Sequence, residues 1–328
     1  MNATNGRRRL LLGGLGAAAL SQWPTVALGH DAAWPDRPIK LVVPTATGGV
    51  GDAIGREFAR GLSEQLGQQV IVENKPGANT SIASAFVANS APDGYTLLLA
   101  MTSLIQNPIH YRNVGYDPLR DFTPLARLGM TATVLVVRSD KKVRNVDEFI
   151  RAARGKRWNY GFSATGPQVV MEIFNQHNDL GMTGIPYKGE VPALTDLLGG
   201  QIEVGLFSAF AVKGSLQSGQ LTALAVLADR RATSLPDVPT FVEQGHGEVS
   251  YTGGWYAFMA PARVPREISG RLSQALRVVF EQPAERRRLE QMDLILNWTD
   301  GPAFAPVMKR DMDIWRELVL RSKVAIEQ

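Results

Sequence analysis

The sequence contains no cysteine among its 328 residues and only four histidines. Without cysteine the chain can form neither disulfides nor thiolate metal sites, and no lipid can be attached to a cysteine behind a signal peptide. The histidines form no His-Glu-x-x-His pattern, so a catalytic metal would lack its usual ligands. These absences argue against a metalloenzyme, and we expect neither a metal nor a cofactor.

The chain also lacks a strong charge of either sign, and it has no apolar run long enough to cross a bilayer as a helix. Its formal net charge of +4 at pH 7 includes the three arginines at positions 7–9. A surface for nucleic acid is therefore not indicated.

The first thirty residues have the pattern of an export signal. Arg7-Arg8-Arg9 precede the apolar run Leu10–Leu20, and Ala27-Leu28-Gly29 offers the small residues at which a signal peptidase cuts. This order predicts a signal peptide over residues 1–29, of either the twin-arginine or the Sec type. The alternative, an amphipathic N-terminal anchor, is disfavoured because the run has no polar face. We expect a periplasmic protein without a membrane tether.

Strand and helix patterns alternate along the rest of the chain, which predicts α/β architecture. In the first unit the predicted elements are Ile39–Val43, Asp52–Leu66, Gln69–Glu73, Thr80–Asn89 and Tyr95–Met101. This β-α-β-α-β order is typical of a parallel sheet covered by helices. A second unit begins near Thr133. The later predicted elements are Val134–Val137, Val146–Ala153, Trp158–Phe162, Gly166–Asn175, Ile185–Tyr187, Pro192–Leu198, Glu203–Phe207, Leu221–Ala228, Gly254–Ala260, Pro265–Phe280 and Pro302–Ser322.

The turn between the first strand and the first helix is the strongest functional signal. It consists of Pro44 followed by small residues and opens the helix at Asp52. Such a turn exposes backbone N–H groups at the positive end of a helix dipole, which favours the binding of an anion. The alternative is a turn that only needs flexible residues.

Several further segments, in consistent order from about Trp34 to the C-terminus, identify a family resemblance. They are Val72-Glu73-Asn74-Lys75-Pro76-Gly77-Ala78, Pro92-Asp93-Gly94-Tyr95-Thr96-Leu97, Tyr116-Asp117-Pro118-Leu119-Arg120-Asp121-Phe122-Thr123-Pro124, Pro186-Tyr187-Lys188-Gly189, Ala193-Leu194-Thr195-Asp196-Leu197-Leu198-Gly199-Gly200-Gln201 and Leu235-Pro236-Asp237-Val238-Pro239-Thr240. With the opening turn, these segments resemble the Bug family of extracytoplasmic solute receptors, the binding proteins of tripartite tricarboxylate transporters.

The resemblance implies a two-lobed periplasmic-binding-protein (type II) fold, with a mainly parallel sheet flanked by helices in each lobe. Lobe 1 would comprise residues 34–133 and 253–328, and lobe 2 residues 134–252, joined by crossing strands near Thr133 and Gly253 that act as a hinge. The resemblance further implies a monomer that closes over a small carboxylate, often through ordered water, and delivers it to integral-membrane permease subunits without ATP.

The same resemblance places the ligand between two strand-to-helix turns. In lobe 1 the expected ligand-binding residues are those of the turn: Thr45, Ala46, Thr47, Gly48 and Gly49. Thr47 stands where the family has a second proline, which returns an N–H group and adds a hydroxyl. Asn79 and Thr80 stand where relatives usually have glycines, and their side chains either cap the next helix or replace backbone donors in the cleft.

In lobe 2 the expected contacts lie around residues 159–168. Ser163, Thr165, Gly166 and Gln168 would face the other end of the ligand at a second helix start, with helix capping as the alternative for the polar side chains. Phe162 and Phe207, together with Trp255, would line an apolar slot, with core packing as the alternative. Because Phe207 stands where many relatives carry aspartate, an amino-acid ligand is disfavoured.

Three other functions compete with this interpretation. Gly49-Val50-Gly51 with Glu73 imitates a dinucleotide fingerprint, but too many residues separate the strand from the first glycine. The segment Gly161–Gly166 misses the nucleophile-elbow spacing by one residue, and a serine hydrolase would need His177 or His246 as its base. A receptor that feeds a signalling protein would share every sequence feature of a transport receptor.

Overall fold

Two β-sheets organise the chain in the computed structural model, which describes residues 34–249 and 254–324. The predicted signal peptide, residues 1–29, lies outside the described residues. The described residues form one compact unit. Among the described residues, none of the helices combines the length and the apolarity that crossing a membrane requires.

The described residues form eleven strands and ten α-helices. The strands are β1 (Ile39–Val43), β2 (Val70–Asn74), β3 (Thr96–Met101), β4 (Phe122–Thr131), β5 (Thr133–Arg138), β6 (Asn159–Phe162), β7 (Thr183–Pro186), β8 (Val204–Ser208), β9 (Leu221–Leu227), β10 (Trp255–Pro261) and β11 (Leu294–Asp300). The helices are α1 (Val50–Leu66), α2 (Ser81–Ala88), α3 (Ser103–His110), α4 (Val146–Ala153), α5 (Thr165–His177), α6 (Glu190–Gly199), α7 (Ala209–Gln217), α8 (Arg266–Glu281), α9 (Pro283–Gln291) and α10 (Gly301–Ser322).

The first sheet has six strands in the order β11-β4-β10-β3-β1-β2, and the second has five in the order β7-β6-β8-β5-β9. In the first sheet β1 pairs in parallel with β2 and β3, whereas β10 pairs antiparallel with β3 and β4, and β11 antiparallel with β4. In the second sheet β6 pairs in parallel with β7 and β8, and β5 runs antiparallel to β8 and β9. Most strands of each sheet therefore share one direction, and the expectation of a two-lobed α/β fold is confirmed.

The chain passes from the first sheet to the second at a single residue. β4 ends at Thr131, β5 begins at Thr133, and Ala132 between them donates its N–H to the Asp293 carbonyl (3.2 Å) and accepts the N–H of Ala209 (2.8 Å). This crossing lies at the predicted hinge position. The second predicted crossing, at Gly253, lies outside the described residues, and the lobe boundaries stay a prediction.

Successive apolar residues of β1 point to opposite faces of the first sheet and pack into two different hydrophobic cores. Leu41 and Val43 point into a cluster with Phe58 of α1 and Leu276 of α8, whereas Val42 joins a cluster on the opposite face. That second cluster also contains Phe174 of α5 and the fully buried Trp315 of α10. The helix α10 packs against β4 and β11 of the first sheet and against α5, which contacts β6 and β8 of the second sheet. The C-terminal helix therefore helps to hold the two halves of the protein together.

Five of the described strands and α-helices were not predicted: α3, β4, α7, α9 and β11. The predicted strands and helices are otherwise present, with ends that differ by a few residues. For α4 the predicted and observed bounds are identical, and the side chain of Asn145 caps it by accepting the N–H of Glu148 at 2.8 Å.

Candidate functional site

The turn between β1 and α1 is open to solvent and ends in an uncapped helix. Ala46, Thr47, Gly48 and Gly49 are all exposed, and Gly48 has φ of +89°, a conformation that favours glycine. Gly49 is the N-cap residue of α1, and no side chain forms a capping hydrogen bond there. The first N–H groups of a helix have no partner within it, so this helix start can attract an anion.

The carboxylate of Asp52 already binds part of this turn, so fewer of its N–H groups are available to an anion. The side chain is 3% exposed, and Oδ2 accepts the N–H of Gly48 (2.9 Å) and Nε of Arg56 (3.0 Å). Oδ1 accepts Nδ2 of Asn74 at 3.0 Å, and the same amide group donates to the Thr45 carbonyl at 2.9 Å. The expectation that the turn exposes its N–H groups is corrected for two of them: that of Gly48 is bound by Asp52, and that of Gly49 donates to the Ala46 carbonyl at 3.4 Å.

The electrostatics of Asp52 agree with a fixed, ionised carboxylate. Burial alone would raise its pKa, but hydrogen bonds from Arg56, Gly48 and Asn74 outweigh burial and hold the pKa below the ordinary value. Asp52 therefore stabilises the conformation of the turn at neutral pH, and it leaves only the remaining amides of the helix start available to an anion.

The second predicted helix start, that of α5, lies against the first lobe. Its N-cap residue is Ala164, and no side chain caps it, so the capping role considered for Ser163, Thr165 and Gln168 is not seen. Thr165 is buried, and its Oγ1 accepts Nδ2 of Asn79 at 3.2 Å. A Cβ on Gly166 would come within 3.3 Å of Nε2 of Gln106 on α3. The structure thus brings Asn79, Thr165 and Gly166 together.

Asn79 and Thr80 do not cap α2 either, because no capping side-chain hydrogen bond is present at its start. Asn79 instead donates to Oδ1 of the buried Asn107 (2.8 Å), and Asn107 donates to the Asn79 carbonyl (2.6 Å). The Thr80 hydroxyl forms a 2.6 Å hydrogen bond with that of Ser103. These side chains belong to a polar cluster between α2, α3 and the start of α5.

The backbone of this segment is strained. Ala78, Asn79 and Thr80 have φ of 44°, 45° and 76°, a region that non-glycine residues rarely adopt. Strain of this kind costs about 1–3 kcal/mol per residue and persists where surrounding contacts enforce it, commonly at ligand-binding sites. Here the hydrogen bonds of Asn79 and Thr80 enforce it.

Phe162 and Gln168 lie apart from this cluster. Both line a cavity of about 450 Å³ whose other walls include Glu172 and the end of the described chain at Ser322–Val324. The Phe162 ring lies 6.0 Å from the Tyr160 ring, centroid to centroid. These two residues therefore face the C-terminal helix, and their ligand contact stays a prediction.

The remaining aromatic candidates are core residues. Phe207 is 2% exposed and packs in a cluster with Val134, Leu197 and Val212. Trp255 is equally buried, and its ring meets that of Phe304 edge-on at 5.1 Å. Core packing, the alternative considered for these side chains, accounts for both positions.

The competing enzyme functions gain no support from the geometry. Glu73, the acidic residue of the imitated dinucleotide fingerprint, is engaged by Lys40 (2.7 Å) and Lys75 (2.6 Å). His246, a candidate base for Ser163, instead contacts Asp147 (3.1 Å) and Glu248 (3.3 Å). Within residues 34–249 and 254–324, no group of three or more His, Asp or Glu side chains could hold a metal ion.

Sequence reasoning missed the roles of Asp52, Asn74 and Asn107. Asp52 and Arg56 are four residues apart on one helix, and this spacing was the available signal for the first of them. For Asn107 the sequence contains no such signal, because its hydrogen-bond partners Asn79 and Ser81 lie more than 25 positions earlier in the chain.

Comparison with known proteins adds independent information. The model of the family described as "Tripartite tricarboxylate transporter family receptor" matches residues 54–319. Protein BugT of Bordetella pertussis is 37% identical over 234 residues, which cover 70% of this chain and 72% of BugT.

Two solved structures with bound carboxylates have the same fold. An R. palustris protein with adipate is 28% identical, with a TM-score of 0.81, covering 89% of this chain and 99% of its own. MatC from Rhodopseudomonas palustris with bound malate is 26% identical, with a TM-score of 0.74, covering 87% and 99%. A third solved structure, described as a TctC solute binding protein from Polaromonas, is 31% identical, with a TM-score of 0.72, covering 88% of this chain and 99% of its own. With the receptor family that matches most of the chain, this shows a solute-binding receptor and not an enzyme.

Proposed function

The chain belongs to the tripartite tricarboxylate transporter receptor family, and from this premise we propose that it is a periplasmic receptor for a small carboxylate. It captures the acid between lobe 1 (residues 34–133 and 253–328) and lobe 2 (residues 134–252). It then delivers the ligand, as a monomer, to the permease subunits of its transporter. The signal peptide over residues 1–29 exports it.

The observation that carries this proposal is the exposed, uncapped start of α1. A carboxylate that accepts two or three N–H groups there gains about 1.5–3 kcal/mol from each charge-assisted hydrogen bond. A micromolar ligand needs about 8 kcal/mol in total. The α1 start together with apolar burial therefore provides enough free energy, and contact with the α5 start favours closure of the lobes. The carboxylates bound by the two similar receptors agree with this chemistry.

We expect mono- and dicarboxylates, aromatic ones included, to raise the melting temperature more than amino acids do. A ligand at about 100 times its dissociation constant adds about 2.7 kcal/mol to the free energy of unfolding. A thermal-shift panel measures this directly. The proposal is contradicted if aspartate or glutamate gives the largest shift, or if no acid gives any. A product found after incubation would instead indicate an enzyme.

A substitution at the N-cap residue tests the position of the site. Gly49→Asp places a carboxylate on the same amides that the ligand would use, so we expect acid affinity to fall about tenfold or more. The fold should tolerate it, because Gly49 has an extended backbone, a Cβ there would meet only the Ala46 carbonyl at 3.6 Å, and aspartate is a favoured N-cap residue. Isothermal titration measures the affinity.

The matched control is Gln282→Asp, which introduces the same residue at the uncapped start of α9. We expect this variant to bind acids like the unmodified protein. If Gly49→Asp also binds them with unchanged affinity, the ligand does not use the α1 start.

A further inference from the structure

Three neighbouring strands of the second sheet end at one edge, and each leads into a helix. β7, β6 and β8 are parallel neighbours, and they are followed by α6, α5 and α7. Ligands of α/β proteins bind outside the carboxyl ends of such strands. Glu190, the first residue of α6, and Ser208, the N-cap residue of α7, therefore lie at the same edge as Ser163 and Thr165.

Glu190 fills the start of α7 with its own carboxylate. Oε1 accepts the N–H of Ser208 and Oε2 accepts its hydroxyl, both at 2.7 Å. The side chain is half-buried, and among the described residues no lysine, arginine or histidine forms an ion pair with it. A fixed negative charge without a cationic partner thus occupies the place where a second ligand carboxylate would find donors.

This charge lies next to the point where the chain crosses from the first sheet to the second. Ser208 pairs with Thr133, the first residue after the crossing, and the next N–H, that of Ala209, is bound by Ala132. Burial above all, and then the negative charge of Glu190, raise the pKa of Tyr256 on β10 of the first sheet. The carboxylate of Glu190 is therefore close to β10, which belongs to the other sheet.

Two exposed apolar side chains lie at the starts of α6 and α7, near Glu190 and Ser208. Val191 follows it on α6 and is 74% exposed, and Phe210 lies in the first turn of α7 and is 43% exposed. Large apolar side chains at the edge where a ligand binds gain free energy when an apolar ligand covers them. They supply the apolar surface that Phe207 and Trp255, both buried in the core, do not.

We propose that Glu190 makes this receptor selective for monocarboxylates whose far end is uncharged and apolar. The α1 start binds the single carboxylate, Val191 and Phe210 cover the apolar body, and Glu190 repels a second carboxylate. This inference rests on the proposed carboxylate-binding function.

Pairs of acids that differ in one carboxylate test the inference. We expect hexanoate to bind the unmodified protein about tenfold more tightly than adipate, which corresponds to about 1.4 kcal/mol. Glu190→Gln, which removes the charge, should bring the two affinities together, and Glu190→Asp, which keeps it, should retain the preference. Glu267→Gln makes the same change at the exposed start of α8 and should leave the preference unchanged. Isothermal titration gives the affinities.

The outcomes separate this inference from the function on which it rests. If the unmodified protein binds both acids equally, or if Glu190→Gln keeps the preference, the role of Glu190 is contradicted and the carboxylate receptor stands. If 6-aminohexanoate, whose far end carries a positive charge, binds most tightly of the three acids, the proposal that the far end of the ligand is apolar is wrong. Binding of no acid would overturn the proposed function itself. If Glu190→Gln does not fold, the affinities of the unmodified protein for hexanoate and adipate are measured at several salt concentrations. Charge repulsion predicts that the preference for hexanoate shrinks as salt is added, and a preference that salt does not change contradicts the role of Glu190.

Discussion

Gly301→Ala is expected to lower the free energy of unfolding by about 3 kcal/mol. Gly301 begins α10 directly after β11, and a Cβ there would overlap the carbonyl oxygen of Pro124 and lie 2.7 Å from its carbonyl carbon. These atoms belong to the backbone of β4, which is hydrogen-bonded to β10 and β11, so they cannot move aside cheaply. Urea unfolding at neutral pH measures the change.

The control is Gly270→Ala in the middle of α8, where a Cβ would meet no atom within 4 Å. Because alanine is the better helix former, this variant should gain about 0.5–1 kcal/mol. Equal stability of the two variants would contradict the steric argument. The expected loss at Gly301 also concerns the site, because α10 carries the buried Trp315, which lies close to Gly166 at the start of α5.

The elements that the sequence predicts well are those whose local signals agree with their tertiary surroundings. In α4 the buried residues Val146, Phe149, Ile150 and Ala153 recur at helical spacing behind an asparagine cap. The strand β1 is a short apolar run bounded by proline residues. Periodicity and punctuation are sufficient in both cases.

Two of the missed elements, β4 and α3, carry residues that usually interrupt a strand or a helix. The strand β4 contains Pro124 and Gly129. Pro124 lies outside the part of β4 that pairs with β11, so the N–H group that proline lacks would have no hydrogen-bond partner on that strand. α3 contains Pro108 and buries the polar Gln106 and Asn107, which hides its inward face. Only the partner strand or helix explains why these residues are tolerated.

The candidate site was predictable in position but not in detail. A strand, a turn of small residues and a helix predict the exposed α1 start without tertiary information. The alternation along β8 places Leu206 and Phe207 on opposite faces, but it does not say that Phe207 faces α6 and α7. The carboxylate of Glu190 reaches Ser208 across 18 positions, and no spacing rule relates them.

Asp52→Ala is expected to destabilise the protein by about 2–3 kcal/mol at pH 7. The substitution removes the acceptor of the Gly48 N–H and one of the two acceptors of Nδ2 of Asn74, which keeps its hydrogen bond to the Thr45 carbonyl. Each lost partner costs about 1–3 kcal/mol where water cannot replace it fully. Asp52→Asn keeps one oxygen acceptor, so its free energy of unfolding should lie between those of the unmodified protein and of Asp52→Ala. Glu64→Ala, at an exposed position of the same helix, should change stability by less than about 0.5 kcal/mol.

The pH dependence identifies the cause. Because the native pKa of Asp52 lies below its ordinary value of about 3.9, its contribution is fully present above that value and is lost as the pH falls through the native pKa. The stability difference between the unmodified protein and Asp52→Ala should therefore be constant from pH 7 to about pH 5 and shrink below pH 4. Urea unfolding of both proteins across this range measures it. A difference that persists undiminished at pH 2–3 would mean that Asp52 acts through packing and not as the ionised acceptor that holds the turn between β1 and α1.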